Sequence, residues 1–148
     1  MHLQSTLDLA NAIRGCAMSM MNSALYIRKE LPNVTMSDEL RAETEEVCDS
    51  LIATKHDLLN QLADAGDSLD AGNRQEALRR LAKGLAWARE DLGRMHNLVT
   101  RLRDAAGASD DYSACMLVQG AAIDTMMSYG IANAFLRSER SRAARGWG

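Results

Sequence analysis

Residues 114–136 read ACMLVQGAAIDTMMSYGIANAFL, the most continuously apolar and small-residue-rich run in a chain of 148 residues. These twenty-three residues lie between Asp111 and Arg137 and have the length and flanking charge of a membrane span. Gln119, Asp124 and Asn133 interrupt the run, and one aspartate near the middle of a bilayer costs about 2.5–3.5 kcal/mol. The stretch is therefore expected to be a central helix of a soluble bundle, with no membrane partner. Its Gly120, Gly130, Ala121, Ala122, Ala132 and Ala134 are expected to admit a neighbouring helix closely, so that Gly120→Leu would overpack the core. Were that surface open in the monomer, the same stretch would be the seam for self-association.

The expected neighbour is the first helical segment, residues 5–31. Ser5 with Asp8 marks its start. Ala10, Ala17 and Ala24 interleave with Ile13, Met20 and Ile27 at seven-residue spacing, which is a heptad seam with one small-residue row. Met126 and Met127 are expected to answer Met20 and Met21, making the first and last helices the tightest antiparallel pair. Pro32 ends the first helix.

Two helices are expected between these. The second, residues 37–65, carries the row Leu40, Thr44, Val47, Leu51, Thr54, Leu58 and Leu62. The third, residues 74–106, opens with the capping box Asn73 and Glu76, ends at Gly107, and carries Leu78, Leu81, Leu85, Ala88, Leu92, Met95, Val99 and Leu102 in unbroken steps of three and four. Between them DAGDSLDAGN, residues 64–73, reads as a linker. The fourth helix is expected over 110–140, capped by Ser109 with Asp110 and Asp111, and followed by an arginine-rich tail over 137–148. Four long helices with short connections imply an all-α, antiparallel up-down-up-down four-helix bundle in one domain, 1–148. An open helical array, or a bundle completed by a second copy, is the competing architecture.

Composition agrees with helices: 47% hydrophobic, 25% charged, one proline and few aromatics. Cys16, Cys48 and Cys115 are odd in number and form no CxxC pair, so reduced thiols and a cytoplasmic setting are expected. Asp8, Asn11 and Arg14 break up the N-terminal segment where a secretory signal would be apolar.

The net charge of −3 conceals an asymmetry: residues 37–70 carry a local balance of −8 and residues 71–107 one of +4. Arg79, Lys83, Arg94 and Arg101 share the polar side of the third helix, with Trp87 at its edge. This row can pair with the acidic second helix of the same chain, with that of another copy, or with phosphates. The end of the chain adds Arg137, Arg140, Arg142, Arg145 and Trp147 as a possible docking tail for an acidic surface.

Enzyme signatures are missing from the sequence. No Glu-x-x-His pair, phosphate loop, dinucleotide fingerprint or serine elbow occurs, and no cofactor or metal is implied. Glu43, Glu46 and His96 are the one grouping that could form a metal or ligand site, if His96 lies level with Glu43. Residues 69–88 resemble half of a tetratricopeptide unit, but no period of about 34 residues follows. The layout is similar to small bacterial four-helix-bundle proteins that include accessory proteins of retroelements, without a shared motif.

The function expected is thus that of a self-associating, non-enzymatic interaction protein, such as an inhibitor, adaptor or accessory subunit of a bacterial or phage system, acting by protein–protein binding. The alternatives are a nucleic-acid-binding accessory subunit using the basic face of the third helix, and a metal- or ligand-binding bundle enzyme.

Overall fold

A computed structural model describes residues 2–146, with side chains from Ser5 onward. The chain forms α1 (His2–Glu30), a one-turn 3-10 helix (Leu31–Asn33), α2 (Asp38–Asp70), α3 (Arg74–Ser109) and α4 (Ser113–Ala144), and no strand occurs among the described residues. Pro32 opens the 3-10 turn. Ser37 begins α2 by accepting the Leu40 N–H on its hydroxyl at 3.2 Å, and Asn73 begins α3 by accepting the Glu76 N–H at 3.1 Å.

The helices pack in the cyclic order α1–α2–α3–α4–α1. Bonds between neighbours run in opposite chain directions. From α1 to α4 they join Ser5 to Arg142, Ser19 to Ser128 and Ser23 to Thr125. From α2 to α3 they join Asp64 to Arg80, Ser50 to Arg94 and Glu39 to Arg101. From α3 to α4 they join Val99 to Cys115 and Arg74 to Glu139. The antiparallel order follows from these pairings, as expected for a four-helix bundle.

The core contains the rows read from periodicity. Ile13, Met20, Ile27, Leu51, Leu58, Leu85, Met95, Leu98 and Val118 are among the largest fully buried side chains. Leu62 and Leu92 are only partly buried, at the edge of the core. Among the described residues, no helix is long and apolar enough to cross a membrane.

Several expectations need correction. Residues 64–70 are helical, so the connection from α2 to α3 is only three residues, with Gly72 at φ 79° making the turn. Gly66 costs α2 helix propensity, but the adjacent Ala65 is buried and packing outweighs that preference. Similarly, α3 continues through Gly107 to Ser109, and Asp110 takes the left-handed capping conformation at φ 61°. Ser109 does not cap α4: the Asp111 carboxylate accepts the Ser113 N–H at 3.1 Å and also the Ser113 hydroxyl. The expected tail is largely helix, since α4 reaches Ala144.

A further correction concerns close packing. Ala17, Ala24, Ala121 and Ala132 are buried between the helices, but Gly120 and Gly130 face outward and a methyl group on either would meet no atom within 4 Å. Met126 and Met127 are exposed and do not pack with Met20. The glycine that admits a neighbour is Gly84 of α3, where an added methyl would lie 3.1 Å from Leu58 Cδ2 and 3.6 Å from Gln61. Gly84→Leu should therefore lower the stability of the fold by about 1–3 kcal/mol through overpacking. Gly93→Ala, at an exposed position in the same helix with open space beside it, should raise it by about 0.5–1 kcal/mol. Chemical denaturation of both variants checks the contrast.

Candidate functional site

The cationic row of α3 is mostly engaged within the chain. Arg101 donates to Glu43 and, at 3.4 Å, to Glu39 of α2. Arg94 donates to Ser50 Oγ at 2.9 Å, and that hydroxyl donates to Asp91 Oδ1 at 2.6 Å. Asp91 is buried, an acid in the core flank that the apolar periodicity gave no reason to place there. Arg79 is held by two bonds to Glu76 on its own helix, at 2.8 and 2.6 Å, which keep the Glu76 carboxyl below its ordinary range. Lys83 Nζ lies 5.4 Å from the centre of the Trp87 ring, and Trp87 is half-buried. Of the three expected uses of this row, pairing with α2 of the same chain describes Arg94 and Arg101.

The C-terminal cations divide in the same way. Arg142 is half-buried, donates to Ser5 Oγ at 2.6 Å and lies 3.9 Å from the buried Glu139 carboxylate, which Arg74 also binds. It fastens α4 to α1 rather than serving as part of a free tail. Arg145 donates from Nε to Ser141 O at 3.2 Å. Arg137 and Arg140 are exposed on the last turns of α4, and Arg140 shares a groove of about 790 Å³ with Arg74 and Arg79. Trp147 lies outside the described residues.

Glu43, Glu46 and His96 do not converge. Glu43 meets Arg101, five residues beyond His96, because α2 is longer than expected and moves the α2–α3 register. His96 is exposed, while Glu46 borders a shallow polar dent with Glu43, Arg94 and Asn97. Among the described residues, no three His, Cys, Asp or Glu side chains are grouped so as to hold a metal ion.

A different surface emerges on α4. Met116, Ile123, Met126, Met127 and Ile131 are each between 45% and 69% exposed, and Phe135 is 38% exposed. At about 100° per residue, Met116, Gly120, Ile123, Met127, Gly130 and Ala134 form one row directly opposite the buried row of Ala121, Thr125, Ala132 and Leu136. Beside it, a groove of about 840 Å³ between α1 and α4 is lined by Ser19, Asn22, Tyr26, Ile123, Met127 and Ile131. Gly120, Gly130, Ala134, Met126 and Met127 were expected in the interior; their exposure is instead the condition under which the stretch was expected to be a seam for self-association. The available signal was that the run is apolar all round, more than one buried face requires.

The thiols have no exposed partner chemistry. Cys16, Cys48 and Cys115 are all buried and free, and Cys115 donates to Val99 O at 3.7 Å. Burial pushes Cys16 and Cys48 up to about 11. A raised thiol pKa means that the reactive thiolate is scarce at pH 8 and becomes abundant only near pH 11. Disulfide-exchange labelling at pH 8 should therefore leave both thiols unmodified in the native protein and modify them on unfolding; rapid native labelling of either would contradict their burial. Compared with protein-family models, with curated proteins and with solved structures, the chain matches none.

Proposed function

We propose that this chain is a non-enzymatic protein–protein interaction module, of the inhibitor, adaptor or accessory-subunit kind, that acts through the outer face of α4. One observation carries the proposal: a continuous exposed apolar row runs along a helix whose residues 113–136 include Asp124 as their one charged side chain. Contiguous exposed apolar surface mostly marks interaction sites on folded proteins, and depletion of charge at the centre with methionine enrichment is the composition of interface cores. Methionine side chains also adapt to a partner's shape at low cost.

The nucleic-acid alternative has less to draw on, because Arg94 and Arg101 are already engaged by groups on α2 and the net charge is −3. Three buried, unpaired thiols fit work in a reducing, cytoplasm-like compartment.

Ile123→Glu combined with Met127→Glu places charge in the middle of the row while touching no buried position. The variant should keep its helical circular dichroism and unfold within about 0.5 kcal/mol of an equally monomeric wild-type reference. It should lose the protein partners, a second copy included, that copurify with the tagged wild-type chain. Retention of every partner by the variant would refute the assignment of the face. A salt-dependent shift of RNA or DNA, abolished by Arg94→Glu with Arg101→Glu, would move the assignment to α3.

A further inference from the structure

We infer that the partner on the α4 face is a second copy of this chain, docked antiparallel on the same face about a twofold axis at the level of Thr125. This deepens the proposed function and rests on it. The exposed row Met116, Gly120, Ile123, Met127, Gly130 and Ala134 advances in alternating steps of four and three, the seam of a two-helix coiled coil, yet it faces solvent. From Met116 to Ala134 it extends for eighteen residues, or about 27 Å.

The row is symmetric about position 125. Laid antiparallel on itself, it sets Met116 against Ala134 of the second copy, Gly120 against Gly130, and Ile123 against Met127. A long side chain thus meets a methyl group, and the two glycine layers let the backbones approach. On one flank, Gln119 comes within two residues, about 3 Å of rise, of Asn133 of the second copy, and Met126 within the same distance of its own counterpart, so amide lies near amide and thioether near thioether. A self-complementary patch of this kind is what a closed twofold dimer requires.

Charge selects the direction. The α4 segment begins beside Asp110 and Asp111 and ends with the exposed Arg137 and Arg140. In the antiparallel register Arg137 comes level with Ser113 of the second copy, two residues from Asp111, so each basic end approaches an acidic one. Parallel docking would stack acid on acid and arginine on arginine. The charged ends therefore oppose parallel docking as well as favouring the antiparallel one.

Light scattering should give twice the chain mass for the wild type and the single mass for Ile123→Glu with Met127→Glu, at unchanged helicity. Treatment with a short bismaleimide should cross-link Met126→Cys into a covalent dimer, because position 126 faces its counterpart. It should leave Met116→Cys uncross-linked, because the two copies of position 116 are about 27 Å apart; the native cysteines are buried. A wild type that stays monomeric at every concentration, or cross-linking of Met116→Cys, overturns the antiparallel pair. A monomer that still loses another protein on Ile123→Glu with Met127→Glu removes the second copy and leaves the α4 face as the interaction surface. A dimer that survives that substitution overturns the α4 pair, and the α4 face falls with it only if every other copurifying protein is retained as well.

Discussion

The hydrogen bond between Ser23 and Thr125, 2.9 Å long and buried, ties the first helix of the chain to the last. Two hydroxyls removed from water must find partners or cost roughly 1–3 kcal/mol each. Here they satisfy each other, and Ser23 also lies 3.3 Å from Ala121 O. Once Thr125 points inward, every other residue of α4 has its direction set by helical geometry. Ala121, Ala132 and Leu136 join the core, while Met116, Ile123 and Met127 turn to solvent. Ser19 with Ser128, at 2.6 Å, repeats the constraint one turn away. Closure of the four-helix cycle and the surface it presents both follow from the rotation of α4 that these hydroxyls select.

Opposite this closure, α2 and α3 are joined by charge. Arg101 with Glu39 and Glu43, Arg80 with Asp64, and Arg94 with Ser50 recur along the full interface. Exposed pairs of this kind contribute about 0–1 kcal/mol each, so the leucine rows beneath them supply most of the stability. The charges contribute alignment: a slip of one helical turn would place α2 acids beside the wrong α3 positions. The acidic second helix and basic third helix are accordingly understood as complementary walls of one bundle. That leaves little of the α3 row for phosphates.

Most of the fold could be read from residue order because α1, α2 and α3 are amphipathic with a definite phase. The rows Ile13, Met20, Ile27 and Leu78 to Leu102 could face only inward. Two things could not be read. Helix ends were placed by glycine, and both Gly66 and Gly107 proved to be interior to helices whose packed faces override a propensity cost of about 1 kcal/mol. That error displaced His96 from Glu43 and brought Arg101 there instead. The second was the rotation of α4. A helix that is apolar all round has no phase in its hydrophobicity, so the pattern shows a helix without showing which side is buried. The deciding side chains were small hydroxyls, Ser19, Ser23, Thr125 and Ser128, whose matching becomes visible only when both helices are in place. The candidate surface could thus be named only as an alternative, for the same reason that it exists.

The division of α4 into two opposed apolar faces has an energetic consequence. Because the inward and outward rows are half a turn apart, side chains on one share few neighbours with those on the other, and the energetic effects of changing them should be close to additive. Folding then depends on Thr125 and the alanines, while the association proposed for α4 would rest on Met116, Ile123 and Met127. The outer row of such a bundle can be altered without altering its core. Glycine at 120 and 130 fits that separation. Neither is required by the interior, where an added methyl meets nothing, and each costs the helix about 0.5–1 kcal/mol relative to alanine. Residues that weaken the helix and contribute nothing to the core gain a physical role if another backbone approaches there.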